Sequence, residues 1–445
     1  MAFLVGGCVR DLLLGLEPKD FDVATDALPE QVKRLFRNCR LVGRRFRLAH
    51  VFFGRDIIEV ATFRATSAPA QGDEPLPAAD PEDGEAAELD EPALEVDDLG
   101  AGAPGATEQH ADDATVRMFD ASGRILRDNV YGTIDEDVWR RDFTANALYY
   151  NIADFSIWDY VNGVQDIAAR TLRLIGDPET RFREDPVRML RAARFEAKLG
   201  FQLHPSTAAA LEPLRDLLGG VPPARLFDET LKLFLSGHGA RSFEVLRRRG
   251  LLAGLLPSVD AYFSSHPGSL VERLLQQGLE NTDARVLADK PVTPTFLFAL
   301  LLYGPIAGII EATPPQRWHE TATILDACDR ATREAQSHIA IPKRFSLGVR
   351  EMFGLQPRLE HPRGRRALRV LEHPRFRAAY DLLLLRAQFG LAPADMAQWW
   401  TRLQEVSPEE RGRMADALAG EPRAAPGGPR RRGRRRRRGA GAGPR

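Results

Sequence analysis

The spacing of apolar residues changes character part-way along the chain, and no other feature limits its fold so strongly. Up to about residue 160, short runs of strand-forming residues (AFLVGG, DFDVAT, AHVFFG, IIEVATF and SIWDYV) mix with helical pieces such as VRDLLLGL and PEQVKRLF. From about Asp177 strand signals nearly vanish. Apolar residues there recur at helical steps in DPVRMLRAARFEAKLGF, ARLFDETLKLFL, SFEVLRRRGLLAGLL and FRAAYDLLLLRAQF. The pattern predicts an α+β chain, with a small head built on a mixed or antiparallel sheet and only helices after it. At 445 residues two or more domains are expected. The expected divisions are a head over 1–160, a neck over 161–235, a helical body over 236–420 and a tail over 421–445.

The formal net charge of −1 is a cancellation. From Ala65 to Val116 there are 15 Asp or Glu and no Lys or Arg, whereas Glu421 to Arg445 holds ten Arg and one Glu. Those segments carry −15 and +9, so the rest must hold +5 for the total to be −1. Near-neutrality therefore does not exclude a polyanionic partner. The acidic segment is rich in Ala, Pro and Gly and has no aromatic residue, so it cannot bury enough apolar surface to offset its ordering entropy. It is expected to be a disordered insert in the head, and its function is not legible. The run PRRRGRRRRRG (Pro429 to Gly439) is suited to holding a phosphate backbone by counterion release. Without interleaved Phe or Tyr it would not select sequence.

Other classes drop out on similar grounds. No apolar run approaches the roughly 20 residues that span a bilayer, so no membrane partner is expected. Cys8, Cys39 and Cys328 have neither disulfide-framework nor zinc-ligand spacing, which suits a reducing cytoplasm. The opening MAFLVGGCVRD lacks the parts of a secretory signal, so export is not expected.

The first motif is a strand ending at Leu4 and Val5, then Gly6 and Gly7, then a helix from Cys8 to Leu16 closed by Gly15. Glycines let a backbone approach a polyanion, a helix start directs N–H groups at it, and Arg10 can add a charge-assisted contact. A plain tight turn would look the same. What sharpens it is KDFDV, where Asp20 and Asp22 alternate about Phe21. In a strand such residues share a face, and two carboxylates side by side call for a cation. Mg²⁺ fits, since it takes one or two carboxylates together with water and substrate phosphate. Loop-edge surface acids are the bland alternative.

Two more blocks bear charge in a pattern. RRDFTANALYYN places Arg140, Arg141 and Asp142 ahead of an apolar run, and either a phosphate-binding cluster with a third carboxylate or an ordinary helix first turn fits that order. REDPVRMLRAARF starts a helix at Pro186, with Arg188, Arg191 and Arg194 in a basic stripe opposite Val187, Met189, Leu190, Ala193 and Leu199. Such a stripe is usually solvated.

Together, VGGCVRDLLLG, KDFDVAT, RRDFTANALYYN and REDPVRMLRAARFEAKLGF resemble, in order, the motifs of the class II nucleotidyltransferases. That family comprises bacterial poly(A) polymerases and tRNA CCA-adding enzymes, and the likeness runs from about residue 3 to 400 apart from the acidic insert. The resemblance implies a nucleotidyltransferase head followed by an all-α neck, body and tail. It implies that Asp20 and Asp22 hold Mg²⁺, that Asp142 is a third catalytic acid, and that Arg141 contacts the nucleotide. It further implies that Asp185 and Arg188 read the incoming base, with Arg191 and Arg194 supporting base and phosphates. A carboxylate and a guanidinium together offer the acceptor and donors that a base edge needs. The reaction expected is attack of an RNA 3′-hydroxyl on the α-phosphate of a nucleoside triphosphate, which needs no histidine or serine nucleophile; His50 and His204 are left to structural roles.

Within that family, LVGRRFRLAHV (Leu41 to Val51) resembles the pattern of the poly(A) branch, through Arg44, Arg45, Phe46 and His50. VPPARLFDETLKLF, AIPKRF, LEHPRFRAAYDLLLLRA and the arginine tail match the same branch. Their residues, among them Lys343, Arg344, Arg375 and Arg377, carry no chemistry that the sequence assigns. The expectation is addition of AMP from ATP to RNA 3′ ends, with a role in RNA decay and a possible link to decay machinery. CCA addition to tRNA is the alternative, and a non-catalytic RNA-binding protein the second. Relatives usually carry a further segment before the strand at Leu4, so the beginning is expected to be misassigned or trimmed.

Overall fold

The computed structural model describes residues 1–43, 47–54, 56–65, 118–119, 125–127 and 131–418. Arg44, Arg45 and Phe46, the acidic insert from residue 66 on, and the arginine tail lie outside the described residues. The described chain forms two compact units, Met1–Leu233 with Arg241–Leu255, and Phe234–Ala240 with the residues from Leu256 on.

The first unit carries a seven-stranded mixed sheet. Its strands are β1 (Ala2–Val5), β2 (Asp22–Thr25), β3 (Cys39–Val42), β4 (Leu48–Phe53) and β5 (Asp56–Thr62), together with two later strands. A short antiparallel pair, β6 (Met118–Phe119) and β7 (Ile125–Arg127), stands apart; β8 (Leu148–Tyr150) and β9 (Ile157–Asp159) complete the sheet. The order is β3-β4-β5-β2-β1-β8-β9. All pairings are antiparallel except β2 with β5, which lie parallel with Asp22 opposite Glu59. A final two-strand parallel pair joins β10 (Thr171–Leu172) to β11 (Gln202–Leu203).

Alternation along the strands builds a core on each face. Phe3, Val5, Ala24, Phe63 and Tyr149 pack with Ile134 and Val138 of α3 (Ile134–Arg140), which follows α1 (Gly7–Leu13) and α2 (Pro29–Leu35). Val32 of α2 closes the other face over Cys39, Ala49 and Val51. The helix α3 starts with a capping box, Thr133 Oγ1 accepting from the Glu136 N–H while Glu136 Oε2 accepts from the Thr133 N–H.

Helices α4 (Gly163–Ala168), α5 (Pro178–Glu184), α6 (Val187–Leu199), α7 (Pro205–Leu214), α8 (Pro223–Phe234), α9 (Gly239–Arg248) and α10 (Leu252–Leu255) follow. Asp177 caps α5, accepting from the Thr180 N–H at 2.8 Å, and Gly200 in the left-handed region ends α6. The apolar side of α6 is sealed, as its spacing predicts, with Val187, Met189, Leu190 and Ala193 each at 1% exposure or less. His204 caps α7 and meets Arg173 at 2.7 Å, a structural role as expected.

The second unit is helical: α11 (Pro257–Ser265), α12 (Leu270–Leu287), α13 (Pro294–Leu301), α14 (Tyr303–Glu311), α15 (Thr321–Gln336), α16 (Lys343–Glu360), α17 (Arg366–Leu371), α18 (Phe376–Gln388), α19 (Ala394–Glu405) and α20 (Pro408–Ala417). Trp400 anchors one of its cores among Leu359, Phe376 and Leu403, and its indole N–H donates to the Leu359 carbonyl at 2.8 Å. Among the described residues no single helix is long and apolar enough to cross a membrane.

Candidate active site

Strand register, more than any local motif, assembles the site. Side chains directly opposite one another on paired strands share a face. The row Tyr149–Val5–Asp22–Glu59–His50 therefore runs across one face of the sheet. Apolar packing ends at Val5, and the row turns charged from Asp22 outward. Asp20 sits just before β2, and its charge acts on Asp22. Burial and the neighbouring Glu59 push the Asp22 carboxyl up, Arg141 opposes them, and Asp20 adds to the rise. His50 lies 3.4 Å from Glu59 on its outer side. Glu59 was not foreseen, although a lone acid inside the apolar run IIEVATF was the available signal.

At Gly6 the backbone takes φ +79° and ψ −127°, a conformation for which a residue without Cβ is needed. A Cβ there would lie 3.7 Å from Arg141 Nη1, so the turn and this guanidinium are neighbours. Gly7 opens α1. Arg141 is held from behind: its Nε donates to Tyr149 Oη at 2.8 Å, its Nη2 donates to Asp137 Oδ2 at 3.0 Å, and the Tyr149 hydroxyl donates to the same Asp137 oxygen at 2.6 Å. Burial works against the charge of Arg141, but Tyr149 and Asp137 outweigh it and keep the guanidinium protonated.

Arg10 takes a different place from the one expected. It is 2% exposed, and its guanidinium donates to Asp11 Oδ1 through Nε at 2.8 Å and to Asn146 Oδ1 through Nη1. Its contact is with the interior, because burying a guanidinium requires its donors to be filled. Asn146, unmarked in the sequence, passes the contact on by donating to Asp142 Oδ1 at 3.3 Å.

Asp142 lies beyond the end of α3, before a single helical turn at Thr144–Asn146, so the helix-first-turn alternative does not apply. Its Oδ2 accepts from Arg191 Nε at 2.7 Å and its Oδ1 from the Phe143 N–H at 2.8 Å. Burial alone would raise this carboxyl; Arg191, the Phe143 N–H and Asn146 outweigh it and bring it down to about 2. The carboxylate is thus committed to α6, whereas Asp22 answers to Glu59, Arg141 and Asp20.

The arginine stripe on α6 is half-buried and partnered, not solvated. Arg188 donates to the Arg181 carbonyl at 2.7 Å and to Glu184 at 3.0 Å. Asp185, at the bend between α5 and α6, accepts two parallel bonds from Arg225 of α8, at 2.8 and 2.7 Å. Arg194 lies 4.0 Å from Glu229 of α8, and Arg194 Nε and Glu229 Oε2 are buried polar atoms without a hydrogen bond. Arg225 and Glu229 fall within VPPARLFDETLKLF, a block in which the sequence assigns no chemistry. Asp185 and Arg188 thus face the same bend, each braced by another residue.

Three family models match the chain: Poly A polymerase head domain over residues 2–173, Probable RNA and SrmB-binding site of polymerase A over 200–263, and Polymerase A arginine-rich C-terminus over 316–438. Poly(A) polymerase I of Escherichia coli O6:H1 is 44% identical over 441 residues, 98% of this chain and 84% of that protein. The Haemophilus influenzae Poly(A) polymerase I is 42% identical over 93% of this chain and 83% of its own length. A CCA-adding enzyme of Lactobacillus helveticus is more distant, 31% identical over 55% of this chain and 48% of its own. In shape the chain is similar to a tRNA-processing enzyme with CTP, at a TM-score of 0.56, 19% identity and coverage of 94% and 97%. That likeness bears on fold alone. On the strength of the matched head domain and near-full-length relatives, the chain belongs to the poly(A) polymerase I family and is a nucleotidyltransferase that adds adenylate to RNA.

Proposed function

We propose that this poly(A) polymerase transfers AMP from ATP to RNA 3′ ends at the sheet face where Asp20, Asp22 and Glu59 meet Arg141 and the Gly6 turn. The observation that carries the reading is the Asp22–Glu59 pairing beside the opposing cation Arg141. A carboxylate pushed up by burial and a neighbouring carboxylate, as Asp22 is, is stabilised by a divalent cation, and carboxylate oxygens suit Mg²⁺. Among the described residues no three ligand side chains are already gathered as a closed site. Asp20 and Asp22 would hold the Mg²⁺, which when bound would supply positive charge toward the 3′-hydroxyl and the leaving pyrophosphate.

The protein's own residues position the reactants. The bare backbone at Gly6 and Gly7 leaves room for the triphosphate, and Arg141, fixed by Tyr149 and Asp137, offers it a cation. The 3′-oxygen forms a bond to the α-phosphorus as the bond from that phosphorus to the β-bridging oxygen breaks, in line. Asp185 and Arg188 read the adenine edge at the α5–α6 bend, Arg225 fixes the Asp185 carboxylate, and Arg194, beside Glu229, supports base and phosphates. Asp142 and Arg10 act at one remove, by holding Arg191 and Asn146.

In this reading residues 1–160 carry catalysis, 161–235 nucleotide selection and 236–420 RNA contact. Three buried, unpaired cysteines favour a reducing cytoplasm, where tailing would promote RNA decay. The test is purified protein with Mg²⁺, each nucleoside triphosphate singly, an unstructured RNA primer and a tRNA lacking its end. Long extension with ATP alone is expected. Addition of CTP to the trimmed tRNA would replace the reading with CCA synthesis.

A further inference from the structure

Phe195 lies on α6, next to Arg194 in the chain, and is 7% exposed. Three guanidiniums gather around its ring. The Cζ atoms of Arg194, Arg10 and Arg191 stand 4.7, 5.3 and 5.7 Å from the ring centroid, all inside the ~6 Å over which a cation is drawn to an aromatic face. Arg191 and Arg194 belong to α6 itself, whereas Arg10 comes from α1, whose first residue follows Gly6. The buried Phe143 fixes the ring in turn, its centroid 5.7 Å away and the two ring planes at 79°.

The three arginines differ in how else they are held. Arg10 donates to Asp11 and Asn146, and Arg191 to Asp142. Arg194 has a looser acid, Glu229 at 4.0 Å, and its Nε makes no hydrogen bond among the described residues. Burial and the neighbouring Arg191 weaken its hold on a proton, Glu229 and Asp142 oppose them, and Arg10 adds to the fall. Like charges crowded in this way repel one another unless negative potential lies among them. An aromatic face supplies that potential without a net charge, and a planar guanidinium stacks on it well. A carboxylate in the same place would neutralise the arginines and repel a triphosphate, whereas the ring steadies them and leaves their charge standing.

We propose that Phe195 is a positioning residue for ATP, its ring holding Arg191 and Arg194 side by side for the nucleotide and tying them, through Arg10, to the helix that follows the Gly6 turn. This rests on the reading that Arg191 and Arg194 support base and phosphates. Phe195 touches no reactant; it acts through the guanidiniums it gathers. Its contribution is electrostatic as well as steric, and that separates it from an ordinary core phenylalanine.

The experiment changes the electrostatics of the ring while nearly keeping its shape. In the full-length chain Phe195 is replaced by mono-, di- and trifluorinated phenylalanine, since each fluorine withdraws density from the ring face and adds little volume. Primer extension with ATP is measured at saturating RNA, ATP affinity without primer, and thermal unfolding alongside. KM for ATP should rise in steps, to about tenfold at the trifluorinated ring, with kcat within about twofold and the unfolding temperature level. ATP affinity without primer should weaken in the same steps, and KM for RNA should not move. Phe195→Leu, which keeps an apolar side chain but loses the ring, should raise KM for ATP at least as far; the fluorinated series carries the test if that variant does not fold. A KM for ATP that stays flat across the series in active protein would overturn the proposal. So would a rise in KM that only follows a falling unfolding temperature, because the ring would then be packing alone. Absence of extension with ATP by the wild-type chain marks failure of the underlying reading instead.

Discussion

Asp142 and Arg191 form an ion pair, Nε to Oδ2 at 2.7 Å, that ties the loop after α3 to the middle of α6. The carboxylate is mostly buried, and its proton affinity is brought down to about 2 from an ordinary value of 3.8. A lowered native pKa means stability that is present above the unfolded value and lost as pH falls through the folded one. The pair should therefore contribute about 2 kcal/mol at neutral pH, fading between about pH 4 and pH 2. Asp142→Asn should destabilise the first unit by at least that amount, because Arg191 is left without its charge partner. Urea titration at pH 7 and pH 3 checks it, and the gap between variant and wild type should narrow at the lower pH.

Asp22 and Glu59 face one another across β2 and β5. If both serve the reacting phosphate, Asp20→Ala with Asp22→Ala should lower kcat by about 10³-fold or more, and Glu59→Gln by roughly 10²-fold. Glu59 is half exposed, so Glu59→Gln should leave the unfolding temperature nearly unchanged. Primer extension with ATP under saturating RNA measures both. Wild-type activity in Glu59→Gln would reduce Glu59 to a partner of His50.

What could be read from the sequence was whatever is local. Strand, Gly6-Gly7 and helix lie within a few residues, as do Asp20 and Asp22, and periodicity alone separates the sheet-bearing head from the helices. What could not be read depends on pairing between distant segments. Glu59 reaches Asp22 only because β2 and β5 run parallel in one register, and Asn146 gains its role only when Arg10 turns inward. The stripe Arg188, Arg191 and Arg194 looked solvated because Asp142 and Glu229, the partners of Arg191 and Arg194, lie in distant segments; only Glu184, four residues before Arg188, stood in the same block.

Arg225 clamps both oxygens of Asp185 from α8. A carboxylate fixed in this way presents one orientation to a base edge; released, it can rotate to suit others. Arg225→Ala should reduce the preference for ATP over CTP by roughly tenfold in kcat/KM, chiefly through KM for ATP, while leaving pyrophosphate release chemistry intact. Arg225→Lys should restore little, because a single ammonium cannot reproduce a two-pronged contact. Single-nucleotide addition with each triphosphate provides the comparison, and an unaltered ATP to CTP ratio would remove α8 from base selection.

Gly6→Ala isolates the contribution of the turn itself. Space for the methyl group exists, the nearest atoms being 3.7 and 3.8 Å away, so no clash obscures the result. The cost is conformational, since φ +79° with ψ −127° is a region that residues with a Cβ avoid. Holding alanine there should cost about 1–3 kcal/mol, and the backbone will relax partly to escape it. That relaxation moves the chain between β1 and α1, next to Arg141 and two strands' width from Glu59. Activity should consequently fall by about tenfold or more, in KM for ATP as well as kcat, with a drop in unfolding temperature of a few degrees. If ATP binding were unchanged while stability fell, the glycine would serve only to make the turn, and the triphosphate would have to be held elsewhere.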